Sequence, residues 1–186
     1  MKINAQFQTY WHIGTGTGSG QSLDALMDKD NDKLPHIPGK MLKGLFRDAV
    51  YKLEQWGHIS KGTTNRLFGS YNEETHLSTS GCLHFPSLTL SNEEINALNN
   101  HETLKSFLYH NIASTSINPK TGTAREGSLR MMEAAIPVCL SGEISLINNQ
   151  DNQDDWQNFI KDSSDFVTNI GANKSRGFGQ VKWTFE

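Results

Sequence analysis

Residues 3–13, INAQFQTYWHI, alternate along the chain. Ile3, Ala5, Phe7, Thr9, Trp11 and Ile13 fall on one side. A period of two predicts a strand with one buried face. From 14 to 36 the pattern disappears into a polar stretch, first Gly-rich and then Asp-rich. That reads as a long loop, and long loops in compact domains are usually functional or disordered. The period changes at Pro38. Met41, Leu42, Leu45, Phe46, Ala49, Val50 and Leu53 recur at helical spacing, so 39–56 reads as an amphipathic helix opened by proline and closed near Gly57.

Further on, 81–90 (GCLHFPSLTL) reads as a short strand interrupted by Pro86, hence edge-like or bulged. A short helix is expected over 93–105. Segments 107–117 and 130–147 look extended, with Pro119, Gly122 and Gly127 between them. They predict a long hairpin with an irregular tip, spanning about 107–147. Trp156, Phe159, Ile160 and Phe166 predict a second helix over 152–168, and 178–185 closes the chain as a strand. The order is strand, helix, strand, strand, helix, strand, with insertions. An α+β fold with a ferredoxin-like βαββαβ sheet and helices on one face satisfies that order most economically. With no internal repeat and no linker, residues 1–186 are expected to form one domain.

Composition narrows the class. The chain has 186 residues, 35% hydrophobic, with 16 Gly and 5 Pro, which suits a compact but loop-rich fold. No apolar run reaches the ~18–20 residues of a membrane span. The N-terminus lacks the continuous apolar stretch of a signal peptide. Cys82 and Cys139 are therefore expected to be thiols rather than a bridge, in a reducing cytoplasm. The net charge of −3 argues against a simple DNA-coating protein. Charge is segregated, however. Lys40, Lys43, Arg47, Lys52, Lys61 and Arg66 crowd 39–66 against Asp48 and Glu54, and 174–182 holds Lys174, Arg176 and Lys182 without an acid. Polyanion affinity follows where cations point, not the total.

Several motifs fail on spacing. GTGTGSG at 14–20 lacks the sixth-place glycine of a dinucleotide loop. Asp28, Asp30 and Asp32 open like a calcium loop, but Lys33 and Gly39 stand where Gly and Glu are needed. Cys82, His84 and Cys139 build no zinc spacing. His12 and His58 are candidate acid/base groups only in that imidazole titrates near neutrality.

Two segments carry chemistry. Arg176-Gly177-Phe178-Gly179-Gln180-Val181-Lys182-Trp183 resembles an RNA-recognition strand signature, with Gln180 and Trp183 departing from it. Too little chain follows for the ordinary RNA-recognition domain. Gly171, Gly177 and Gly179 permit positive φ, and Lys174, Ser175 and Arg176 add donors, so the loop reads either as a phosphate nest or as a tight turn into the last strand. The second segment is Ile37-Pro38-Gly39-Lys40-Met41-Leu42-Lys43-Gly44. Lys40 and Lys43 in a first helical turn oppose the helix dipole unless an anion sits there.

Ile37-Pro38-Gly39, then Leu42-Lys43-Gly44 with Arg47, Leu67-Phe68-Gly69, Thr121-Gly122-Thr123-Ala124, and Gly171 to Gly179 stand in the order of the RAMP superfamily of CRISPR-associated proteins, which the chain resembles over nearly its whole length. The likeness is to the repeated backbone subunit of type III effectors. Lys40-Met41 and Gln21-Ser22-Leu23 depart from the family's pattern. The resemblance implies an RNA-recognition-like palm that binds crRNA and a protruding hairpin thumb that displaces one base pair at intervals along the guide–target duplex. It implies target-RNA cleavage by a loop Asp, which Asp24 matches, by 2′-hydroxyl attack yielding a cyclic phosphate. Asp24 would act on the hydroxyl directly or through Mg2+ or another divalent cation, loosely held with Asp28. Lys40, Lys43, Arg47, Gly171, Lys174, Ser175, Arg176, Gly177, Phe178 and Gly179 would bind guide RNA. Lys120 and Arg125 at the hairpin tip would reach the duplex or a neighbouring subunit. Implied partners are crRNA, single-stranded target RNA, other RAMP subunits, a large effector subunit, and further copies of the chain stacked head to tail. A non-cleaving scaffold and a guide-processing endoribonuclease using a His are the alternatives. The first-helix opening and the glycine-lined turn are expected to face each other as one cradle for a single strand.

Overall fold

The computed structural model describes residues 1–18, 23–72, 74–147 and 155–186. The end of the glycine-rich stretch, with Gln21 and Ser22, and the first residues of the expected helix, 152–154, lie outside the described residues.

Strand β1, Lys2–Phe7, turns Ile3, Ala5 and Phe7 into the core. The expected alternation continues to Ile13, but the strand stops at Phe7. There the chain changes partner: Trp11 exchanges backbone hydrogen bonds with Ala135 at 3.1 and 2.8 Å, and its indole N–H donates to the Ile136 carbonyl. Trp11 stays fully buried, stacked on Phe7 with centroids 4.2 Å apart. Burial of Trp11 and Ile13 thus follows the periodicity although ladder pairing does not, and His12 between them is buried as well.

Helix α1, Gly39–Gln55, follows Pro38 and buries Leu42, Phe46, Ala49, Val50 and Leu53. No side chain caps its start through Pro38, and the Gly39 N–H instead meets Ser87 Oγ at 3.2 Å. The short helix α2, Thr63–Phe68, and the hairpin of β2, Gly69–Asn72, with β3, Leu77–Ser80, follow. The pattern of apolar residues foretold neither, because α2 has barely two turns and β3 is exposed throughout. Glu54 of α1 secures α2: its carboxylate accepts from the Gly62 and Thr64 N–H groups, both at 2.8 Å.

The expected strand over 81–90 shrinks to β4, Leu83–His84, after which Ile37 bridges Leu88 and Thr89 bridges Ser141. The expected helix over 93–105 forms as α3, Asn92–Asn100, started by a Ser91–Glu94 capping box, and α4, Glu102–Lys105, which runs into a 3-10 turn. β5, Tyr109–Ser114, pairs with β6, Arg130–Ala135, from Tyr109 opposite Ala135 to Ser114 opposite Arg130. The hairpin is therefore shorter than the 107–147 expected. Pro137 has no N–H to extend the ladder, and β7, Cys139–Glu143, leaves to pair with β1. β8, Ser145–Leu146, pairs with β4. Helix α5, Trp156–Ser164, packs on α1, and β9, Val181–Phe185, completes a sheet of order β7-β1-β9, antiparallel throughout.

The helices cover one sheet face. Trp183 of β9 points under it, 5.2 Å from the Phe46 ring, with its indole N–H on the Val167 carbonyl. The open face of these strands carries Lys2, Asn4, Gln6, Cys139, Ser141, Glu143, Lys182 and Thr184, by register on the same side, and no aromatic ring. The RNA-recognition signature therefore straddles a turn and a strand and offers no stacking platform on the sheet. Cys82 and Cys139 remain thiols, and among the described residues no helix is long and apolar enough to cross a membrane.

Burial opposes the charge on Glu54, but the nearby Thr64 hydroxyl and the Gly62 and Thr64 N–H groups outweigh it and hold the carboxyl below its usual value. A depressed acid stabilises the fold above its unfolded pKa, and that contribution disappears as pH falls through the folded value. Glu54→Gln should cost about 1 kcal/mol at pH 7, discounted for exposure. In urea titrations the gap to the unaltered protein should close as pH falls below the ordinary carboxyl value of 4.5. A gap that is the same at pH 7 and in acid would contradict the clasp.

Candidate functional site

From Leu23 onward the long loop runs along the free edge of β6. The Asp24 N–H donates to the Met131 carbonyl at 2.9 Å, and the Met131 N–H returns to Asp24 Oδ2 at 2.7 Å. Ala25 makes a parallel bridge with Met132, and the Glu133 N–H donates to the Ala25 carbonyl. Glu133 is buried. Its Oε2 accepts from the Met27 N–H at 3.1 Å and its Oε1 from Lys29 Nζ at 2.7 Å. Lys29 also lies over the Tyr109 ring, 4.0 Å from the centroid, and the Tyr109 hydroxyl donates to the Lys33 carbonyl. Burial, then the charges of Glu133 and Asp30, push that hydroxyl far above the ordinary phenol range.

The C-terminal turn is fastened to the chain just after β1. Gly171, at φ +90, packs so closely that a Cβ would run into the His12 carbonyl, and the Ala172 N–H donates to that carbonyl at 2.9 Å. Gly179, at φ +68, donates to the Tyr10 carbonyl and leaves no room for a Cβ beside the Ile170 carbonyl. Between them Asn173 and Gly177 are left-handed around a 3-10 turn over Lys174–Arg176. Gly171 and Gly179 therefore serve backbone crossings, while Lys174, Ser175, Arg176 and Gly177 are exposed.

Loop, hairpin and turn enclose a cleft of about 320 Å3 lined by Asp24 and Ala25, by 112–114 of β5, by Arg130, Met131 and Met132 of β6, and by Asn173, Arg176 and Phe178. It has an apolar floor of methionines, Ile112 and Phe178, with one carboxylate and two guanidinium groups among its polar lining. Sequence reasoning found Asp24, Arg176 and Phe178 but missed Arg130 and Asn173. Arg130 had a usable signal, a lone cation opening the second hairpin strand. Asn173 had none beyond the tolerance of Asn for left-handed backbone.

Lys43 and Arg47 line a different cleft, of about 310 Å3, with Phe68, Tyr71 and the bases of β2 and β3. The expected single cradle is thus corrected: the first-helix cations and Arg176 line separate clefts. The cause lies in α2 and its hairpin, which stand beside α1 and supply the opposite wall. Lys40 is exposed and lines neither cleft, and Lys120 and Arg125 are exposed near the hairpin tip.

Asp28 turns away from the site towards His36, with its Oδ2 3.5 Å from Nε2. Among the described residues no group of three or more His, Cys, Asp or Glu side chains could hold a metal ion. One oxygen of Asp24 is already committed to Met131. That donor set does not fit a resident divalent cation. His12 is buried with Nδ1 donating to the Glu133 carbonyl, and His58 lies exposed beside Trp56.

The chain has a mixed sheet-and-helix fold with a cleft between its hairpin and a glycine-lined turn. The sequence pattern of the RAMP superfamily matches residues 4–182, and the chain belongs to that superfamily. No curated protein matches it by sequence. Among solved structures it is similar to a chain of the type III-B Cmr-beta complex in the apo state, with TM-score 0.66, 10% identity, and coverage of 98% of this chain and 95% of that one. It is also similar to a chain of type III-B Cmr-beta bound to cognate target RNA, with TM-score 0.68, 9% identity, and coverage of 98% and 96%.

The two glycine classes separate by substitution. Gly179→Ala must move backbone and should cost ~2 kcal/mol or more, whereas Gly177→Ala, with open space around it, should cost only ~1 kcal/mol for its left-handed φ. Urea midpoints measure both, and equal losses would contradict the crossing assigned to Gly179.

Proposed function

We propose that the chain is a crRNA-binding backbone subunit of a type III CRISPR effector, and that Asp24 takes part in cutting guide-paired target RNA. The observation that carries this reading is the convergence of Asp24, Arg130 and Arg176 on one cleft between hairpin and glycine-lined turn. The sheet order β7-β1-β9, with α1 following β1 and α5 joining β7 to β9, is compatible with a ferredoxin-like palm. The Thr89–Ser141 bridge occupies the place of its fourth strand. The β5–β6 hairpin corresponds to the thumb. The matched Cmr-beta complex is described as bound to cognate target RNA, and an RNA-lined assembly of RAMP subunits, with a large effector subunit and head-to-tail copies, is the setting in which this chain would act.

The chemistry follows from the cleft. The 2′-hydroxyl oxygen attacks the adjacent phosphorus, the bond to the 5′-oxygen breaks, and the leaving 5′-oxygen takes a proton from water, so that a 2′,3′-cyclic phosphate and a 5′-hydroxyl result. Attack needs an in-line geometry that stacked RNA does not offer, so the splayed nucleotide must be held. Phe178, Met131 and Met132 offer apolar surface to a base, while Arg130 and Arg176 stabilise charge on the phosphate. The Asp24 oxygen not held by Met131 accepts the 2′-hydroxyl proton, directly or through water. Lys43 and Arg47 hold guide phosphates in their own cleft, with Lys174 on the turn and Lys120 and Arg125 at the hairpin tip as outer contacts.

A scaffold without cleavage is the second reading. It is favoured by one observation: Asp24 also does a structural task, accepting the Met131 N–H. Asp24→Asn separates the two, because the amide oxygen keeps that bond while the carboxylate is lost. In the complex reconstituted on guide RNA, Asp24→Asn and Asp24→Ala should both slow target cutting by about 100-fold or more with guide binding retained. Cutting at the unaltered rate by Asp24→Asn would remove the carboxylate from the mechanism, and an unaltered complex that never cuts would leave the scaffold. Replacing Arg130 and Arg176 together by Gln should flatten the dependence of log affinity on log salt by about 1.4, at ~0.7 for each phosphate contact to a single strand. An unchanged slope in a filter-binding series would show that neither cation meets RNA.

A further inference from the structure

The contact between the loop and β6 is short. It consists of the Ala25–Met132 bridge and backbone bonds between Asp24 or Ala25 and Met131 or Glu133. So short a pairing specifies its register weakly, and a slip of one residue would move Asp24 off Met131. Beyond the Met131 N–H held by Asp24 itself, two side-chain bonds oppose a slip, and both end on Glu133: Oε2 holds the Met27 N–H and Oε1 holds Lys29. The pair is largely enclosed, with side-chain exposure of 29% for Lys29 and 11% for Glu133. Its other neighbours are fixed as well. Lys29 rests on the Tyr109 ring of β5, whose hydroxyl is anchored to Lys33 in the same loop.

We propose that the Lys29–Glu133 pair is a positioning device that sets the register of the loop against β6 and so aims the Asp24 carboxylate into the cleft. This rests on the reading of Asp24 as the cutting residue. Glu133 itself does not line the cleft, and both its oxygens are occupied, so it acts through Asp24 and not on RNA. The two bonds impose a chemical asymmetry. Glu133→Gln presents an N–H donor to either Lys29 or Met27, both of which are donors, so one bond must break. Lys29→Gln still donates to Glu133. When both substitutions are made together, the amide oxygen at position 133 accepts from the Met27 N–H. Its NH2 group donates to the amide oxygen at position 29, and both polar atoms at position 133 are again paired.

The test uses the complex assembled on guide RNA, with single-turnover cutting and target affinity measured for both single variants and the double. Glu133→Gln should slow cutting about 10- to 100-fold, as a small misplacement of a reacting group does, with target affinity within about twofold. Lys29→Gln added to it should restore the rate to within about threefold, a rescue that general damage to packing would not show. An unchanged rate in Glu133→Gln, or a double variant no better than Glu133→Gln, overturns the proposal. Lys29→Ala gives a second route that leaves β6 untouched. It should slow cutting about three- to tenfold without loss of target binding, and an unchanged rate counts against the device. If the unaltered complex does not cut, the catalytic reading falls by itself. Positioning is then read from hydrogen exchange at the Asp24 and Ala25 amides. Exchange that is faster in Glu133→Gln and recovers in the double variant supports the register pin, and equal exchange in all three proteins overturns it.

Discussion

β6 is shared by two neighbours of different kinds, and the candidate site depends on that sharing. On one side it pairs with β5 over six residues. On the other it receives Trp11 at Ala135 and the loop at Met131 to Glu133. A hairpin alone is marginal in water. Here its root becomes part of the body because its second edge is covered by backbone from elsewhere. The buried Glu133 carboxylate is tolerable in that place only because an N–H and an ammonium group meet it.

The same economy shapes the C-terminal turn. Its glycines do two jobs that sequence alone merges into one motif. Gly171 and Gly179 let the chain cross Tyr10 and His12 at backbone distance, which holds the turn against the end of β1. The residues between them remain exposed and carry the cations. A rigid crossing at each end with a charged arc between is well suited to presenting guanidinium and ammonium groups to a phosphate chain without ordering them at the moment of binding.

Charge segregation acquires meaning through the two clefts. An overall charge of −3 would repel RNA at long range. Local clusters act within a Debye length of roughly 8–10 Å, so on the proposed reading each cleft binds RNA although the whole does not attract it. The helix cations face the β2–β3 hairpin and the turn cation faces the β5–β6 hairpin. The two clefts have different walls and are separate recesses, not one continuous cradle. The likeness to Cmr-beta chains at 9–10% identity extends across nearly the full length, so the fold is shared although few residues are.

Much of the framework was legible in residue order. Period-two and period-3.6 burial is a local property, so β1, α1, β9 and the body of α5 could be read directly, and the glycines that permit left-handed backbone announced the turn. Arg176 and Phe178 stood out in the glycine-rich C-terminal segment, and Asp24 was singled out only through the resemblance to the RAMP superfamily. Three things were not legible: the transfer of Trp11 from one strand partner to another, the insertion of α2 with β2 and β3 as the wall of a second cleft, and the placing of Arg130 in the cleft that Asp24 lines. Each depends on which distant segment supplies the hydrogen-bond partner for an open backbone edge. That choice is made by competition among long-range contacts in the folded molecule, and no local spacing encodes it.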